Sequence, residues 1–102
     1  MTRLFQARPQ ATVNIDVSAA TQRVSLGKQW CGQVAVLNDG TATVWVNFGD
    51  VTVVATLANS APVRSGDTRG FSIPPGIVSE PYMAAIAAGA TGKIYGTPGE
   101  GV

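Results

Sequence analysis

Six carboxylates and one thiol are the side chains of this sequence best suited to acid–base or nucleophilic chemistry: Asp16, Asp39, Asp50, Asp67, Glu80, Glu100 and Cys31. There is no histidine. A glycosidase-like pair needs two carboxylates converging within about 5–10 Å in a cleft, and no spacing here selects such a pair. Asp39, Asp50 and Asp67 fall in turn-like segments, where aspartate bonds its own backbone. A calcium loop of the form D-x-D-x-D-G is absent, so carboxylate metal binding is not expected. Cys31 is alone, which rules out an intrachain disulfide or a zinc cluster. Without histidine it has no imidazole base within the chain, so it reads as a small, reduced, buried side chain. Gly66, Gly70 and Gly76 do not follow the G-x-G-x-x-G or Walker spacing and read as turn residues. The inventory predicts no enzyme, no metal and no cofactor.

Binding is the better use of what remains. The seven basic residues, Arg3, Arg8, Arg23, Lys28, Arg64, Arg69 and Lys93, never form a run, and the net charge is +1. Phosphate backbones need a clustered basic patch, so nucleic acid is not an expected partner. The two tryptophans, Trp30 and Trp45, default to core packing. Trp45, however, alternates with Val44 and Val46 and so belongs on the opposite face. Tryptophan is enriched at interface hot spots, which makes Trp45 a candidate contact residue. A carbohydrate platform built on Trp30, Trp45 or Tyr82 would need more aromatics than the seven spread along this chain.

The elements that must position these residues are strands. Thr12–Val17 alternates, with Val13, Ile15 and Val17 on one face, and Gln22–Leu26 repeats the pattern. Gln33–Leu37 and Thr41–Phe48 flank Asn38-Asp39-Gly40, which reads as a hairpin because Asp-Gly tolerates positive φ. Gly49-Asp50 turns into a valine- and threonine-rich strand over Val51–Leu57, so residues 33–57 are expected to form a three-stranded meander. Ala58–Thr68 reads as loop and Gly70–Pro74 as a short strand. Pro74-Pro75-Gly76 is a turn, with Pro75-Gly76 of type II. Tyr82–Ala88 is alanine-rich but short and bounded by Pro81 and Gly89, and is assigned to strand. Gly92–Thr97 is the last strand, with 98–102 as a tail.

About eight short strands at spacings of roughly ten residues predict an all-β antiparallel sandwich or jelly-roll-like barrel. The length of 102 residues allows one domain, which we divide into an N-terminal arm, 1–10, and a β domain, 11–102. Apolar residues make up 45% and charged residues 13%, which excludes disorder and leaves a surface poorly protected against association. Self-assembly or docking on a larger body is therefore expected. The N-terminus lacks the apolar core of a signal peptide. The longest apolar run, Met83–Ala88, is far short of a membrane span, so no membrane partner is expected.

The succession TQRVSL, GQVAVLNDGTATVWVNFGD, FSIPPG and YMAAIAAGATGKIYGTPGEGV resembles small structural proteins of tailed bacteriophages. The resemblance covers residues 21–102 and rests on turn chemistry and alternation. It implies a virion protein that decorates or cements the capsid, a β-sandwich or jelly roll binding the major capsid protein across subunit boundaries, with a homotrimer favoured. Its implied place is the capsid surface, after synthesis in the host cytoplasm. A head-fibre base, neck, tail or baseplate module is the alternative reading. The candidate contact residues are Leu4, Phe5 and Arg8 in the arm, Trp45, and Arg64 and Arg69 in the polar stretch 64–69.

Overall fold

The computed structural model describes residues 6–7, 11–27, 32–73, 80–88 and 92–100. Its elements are all strands: β1 (Gln6–Ala7), β2 (Val13–Val17), β3 (Gln22–Ser25), β4 (Gln33–Asn38), β5 (Val44–Gly49), β6 (Ala61–Val63), β7 (Thr68–Ser72), β8 (Tyr82–Ala87) and β9 (Gly92–Glu100). One sheet runs β2-β9-β4-β7, with β1 beside the C-terminal end of β9. The other runs β3-β8-β5-β6. All pairings are antiparallel. Two four-stranded sheets whose strands alternate between layers along the chain are a jelly roll, the closed double-sheet solution for antiparallel β structure.

Alternation places the core. Ile15, Val17, Val34, Val36 and Ile94 point inward from the first sheet, and Val44, Val46, Val63, Met83, Ala85 and Ala87 from the second. Apart from Met83, both sets are β-branched or small, as a pleated interior selects. Gly96 makes room for the largest of them. A Cβ at Gly96 would stand 2.9 Å from Met83 Cε, 3.1 Å from its Sδ and 3.5 Å from Val34 Cγ1. Gly96→Ala needs only a shift of the flexible thioether end. Gly96→Val is expected to lower stability by about 2 kcal/mol through overpacking. Adding Met83→Ala should recover part of that loss, a non-additivity that urea unfolding of the three variants would read.

The expected hairpin at Asn38-Asp39-Gly40 is not formed. β4 pairs with β9 and β7, whereas β5 pairs with β8 and β6, so the chain crosses there from one sheet to the other. The cause is Asn38, which turns inward and is fully buried. Its Nδ2 donates to the carbonyls of Ala42 (2.8 Å) and Val63 (2.9 Å). Its Oδ1 accepts from the Gly40 N–H at 2.9 Å. The side chain thus satisfies backbone groups that a hairpin ladder would have satisfied. Gly40 is needed for proximity: a Cβ there would lie 3.2 Å from Gly92 Cα.

Three further expectations change. Val51–Leu57 is not a strand, so the meander over 33–57 does not exist. Ala61–Val63 and Thr68, read as loop, are strand. Pro98–Glu100, read as tail, completes β9. The Asp39 N–H bonds the Lys93 carbonyl, which fixes the phase of the β4–β9 ladder. In that phase Pro98, opposite Val34, directs its missing N–H away from β4, where β9 changes partner from β2 to β1. A proline there removes no ladder bond to β4. The turn at Pro75-Gly76 lies outside the described residues.

Candidate interaction surface

The stretch after β5 explains where the apolar surplus goes. On β8, Met83, Ala85 and Ala87 face the core while Tyr82, Ala84 and Ile86 face outward. Residues 50–57 cross this outer face as a strap, with Val53 and Ala55 packed on Ala84, Tyr82 and Ile86. The burial alternates as in a strand, but the polar backbone groups are held by side chains. Ala55 N–H donates to Thr21 Oγ1 (3.0 Å), and Asn47 Nδ2 donates to the Val54 carbonyl (3.1 Å). Gly49 admits the strap, since a Cβ there would meet Val53 Cβ at 3.0 Å. This is why a strand-like sequence makes no ladder: it lies over a sheet face and not along a sheet edge.

Val54 turns out between Val53 and Ala55, and Val51 and Leu57, in the turns at either end of the strap, are exposed as well, at 45%, 52% and 49% respectively. Three large apolar side chains are thus exposed within seven residues, in a stretch uncharged from Val51 to Val63. Trp45 lies half-buried on the same outer face, paired in register with Ile86 and Pro62. That is the face opposite Val44 and Val46.

The strap begins at an anchored turn. Asp50 Oδ1 accepts from Thr52 Oγ1 (2.6 Å) and from Thr52 N–H (2.8 Å). These bonds, the hydroxyl's first, hold the Asp50 carboxyl below the ordinary aspartate value. A lowered folded-state pKa contributes stability that is present above the unfolded value and lost as pH falls through the folded one. Thr52→Val is expected to raise the Asp50 titration midpoint toward the ordinary range, as read by NMR of its carboxyl carbon.

The other candidates are dispersed. Arg64 is exposed at a turn in which Asp67 N–H donates to the Arg64 carbonyl. Ser65 Oγ in that turn donates to the Gly40 carbonyl (2.6 Å), and Gly66 N–H to the Asn38 carbonyl (2.9 Å), so the turn braces the Asn38 corner. Arg69 closes the open side of the sandwich. Its Nη1 donates to the Pro62 carbonyl at 2.6 Å, and its guanidinium stacks 5.0 Å from the Phe71 ring centre. Phe71 in turn meets Phe48 of the other sheet at 5.3 Å. Arg69 is thus joined through Pro62 to the strand beside Trp45, whereas Arg64 lies in the turn after β6. Leu4, Phe5, Arg8, Trp30 and Cys31 lie outside the described residues. Sequence reading missed Val51, Val54 and Leu57, although the uncharged run that holds them was visible.

Among the described residues no three metal-ligating side chains converge. Asp16 and Lys93 form a surface ion pair at 3.3 Å across β2 and β9, and Ser25 hydroxyl bonds the Glu80 carboxylate. No helix among the described residues is long and apolar enough to cross a membrane.

No protein-family model matches this sequence, and no curated protein matches it. Solved structures do. The chain is similar to PirA, at 13% identity and a TM-score of 0.59, over 91% of this chain and 96% of that one. Weaker likenesses are to the coat protein of Tobacco streak virus (6% identity, TM-score 0.43, 93% and 90% covered) and to a protein of Bacillus endospore appendages (16%, 0.46, 99% and 89%). What the likeness to PirA shows is the shared all-β fold.

Proposed function

We propose that this chain is a structural protein of a tailed-bacteriophage particle, a decoration or cement protein that sits on the capsid surface. In this reading it binds the major capsid protein across subunit boundaries and carries out no reaction. The observation that carries the reading is the set of exposed apolar residues Val51, Val54 and Leu57, presented on a strap whose middle is tied to the sandwich through Thr21 and Asn47. A cement protein needs such a rigid, uncharged contact surface, because each contact must form without ordering a flexible loop. The jelly roll is a frequent scaffold for capsid domains, an analogy of fold alone. The turn motifs between residues 21 and 102 give the resemblance its direction toward phage particles. Repetition on a lattice makes individually weak contacts sufficient.

Quantitative mass spectrometry of purified particles tests the reading. The expected result is a copy number that scales with the major capsid protein, together with a lower disruption temperature for particles lacking this chain. A handful of copies per particle would move the chain to the neck, tail or fibre. Absence from particles would reject a virion role.

A further inference from the structure

The two sheets have four long edges, and three carry a device that discourages pairing. The phase set by Asp39 and Lys93 leaves Asn14 and Asp16 directing their backbone groups outward from β2, so a charged residue sits on that edge. The Leu26 N–H bond to the Pro81 carbonyl leaves Arg23 and Ser25 outward on β3, again with a charge. β6 is three residues long and contains Pro62, which has no N–H to offer. Charges, prolines and short strands are the usual guards of a sheet edge.

β7 is five residues long and has no proline; its one charge, Arg69, is held within its own chain by the Pro62 carbonyl and the Phe71 ring. Ile73 N–H bonds the Gly32 carbonyl, and Asn38 N–H bonds the Asp67 carbonyl. Both fix one phase, in which Arg69 and Phe71 bond β4 and Thr68, Gly70 and Ser72 present N–H and C=O groups outward. Those three residues are exposed, uncharged and small. No strand among the described residues pairs with that side of β7.

We propose that β7 is a self-association strand: two copies of this chain pair antiparallel along it, about a two-fold axis at Gly70, and join their sheets into one. The register is self-complementary. Gly70 faces Gly70, and Thr68 faces Ser72 of the partner subunit, so every outward backbone group meets another, for about six hydrogen bonds. Arg69 falls opposite Phe71 of the partner subunit in the close, non-bonded pairs. The cation–ring contact that Arg69 makes within its own chain at 5.0 Å thus gains a counterpart across the axis. No like charges face each other, and Asp67 falls beyond the strand ends. The Cβ position of Gly70 has nothing within 4 Å, so the centre of the contact is sterically open. Such an interface is isologous and small. It therefore makes a concentration-dependent dimer rather than the trimer that the phage resemblance implies. It is a property of the isolated chain and stands or falls apart from the capsid reading.

Sedimentation velocity of the full chain at rising concentration tests the pairing. The expected result is a shift from monomer toward dimer, weakened about tenfold or more by Gly70→Pro and by Thr68→Lys. Gly70→Pro deletes an outward N–H but no bond to β4, and Thr68→Lys places a charge among the outward-bonding residues Thr68, Gly70 and Ser72. In a Cys31→Ser background, Gly70→Cys is expected to form a disulfide-linked dimer on mild oxidation. The bonded-pair Cα separation of about 5.5 Å suits a disulfide. Thr41→Cys, exposed elsewhere, should remain monomeric. Wild-type chain that stays monomeric throughout would overturn the proposal. So would self-association that persists undiminished in Thr68→Lys with equal cross-linking at positions 41 and 70, and these two readouts decide the matter even if Gly70→Pro misfolds.

Discussion

Replacing Asn38 with alanine is expected to lower the unfolding free energy by about 3 kcal/mol. The substitution removes the donor to the carbonyls of Ala42 and Val63 and the acceptor for the Gly40 N–H, at a fully buried position. A buried polar group left without a partner costs about 1–3 kcal/mol, more than the net worth of the bond itself. The corner also holds Asp39 to Lys93 and Gly66 to the Asn38 carbonyl. Loss there loosens the crossing between sheets, the turn before β7 and the start of β9 together. For a domain whose total stability is about 5–15 kcal/mol, the thermal midpoint should fall by about 15 °C. Asn38→Asp discriminates the cause. It keeps the shape and the acceptor for Gly40 but turns two donated bonds into carboxylate–carbonyl repulsion. It should therefore be at least as damaging at neutral pH and should partly recover in acid, where a protonated carboxyl can donate again. Equal unfolding midpoints for wild type and both variants would remove Asn38 from its place at the corner.

The triple variant Val51→Ser, Val54→Ser and Leu57→Ser is expected to fold with wild-type stability, within about 1 kcal/mol, and yet to be lost from particles. All three side chains already face solvent in the isolated chain, so shortening them opens no cavity. On a partner surface each would bury roughly half of a side chain, worth about 1 kcal/mol apiece. Together these come to about 3 kcal/mol, or roughly a hundredfold in affinity. The matched control is Val53→Ser, which faces the sheet with Ala55 and Ala84 and should loosen the strap, lowering stability and occupancy together. Occupancy is read by adding each purified variant to particles stripped of this chain. Full occupancy by the triple variant would dismiss the strap as the contact surface, whatever the copy number shows.

The strands were legible because their alternation is a local property. Val13, Ile15 and Val17, or Met83, Ala85 and Ala87, show their inward faces in the sequence itself, and Trp45 shows its outward one. Short alternating runs between turns also sufficed for the all-β class, but left sandwich and barrel open. The pairing was not legible. Among the described strands β5 and β6 are the one sequence-adjacent pair that shares a ladder, so turn chemistry between neighbours says little about who lies beside whom. Asn38-Asp39-Gly40 has the residues of a hairpin and makes a corner. The difference lies in which way the Asn38 side chain points, and that depends on the carbonyl of Val63, far along the chain. Val51–Leu57 has the composition of a strand and becomes a strap, because Gly49 and Ala84 leave a shallow place on the sheet face.

That the chain is a β domain is written locally, since side-chain alternation and turn residues act within a few positions. Which apolar residues stay outside, and which strand edge no other described strand covers, is settled in three dimensions. Val54 is exposed because Val53 and Ala55 win the sheet face, and Val51 and Leu57 because they fall in the turns at its two sides. β7 is open because the jelly-roll order places it last in its sheet. Both outcomes follow from competition among distant segments for the same surface, a competition settled by packing and backbone hydrogen bonding across the whole chain.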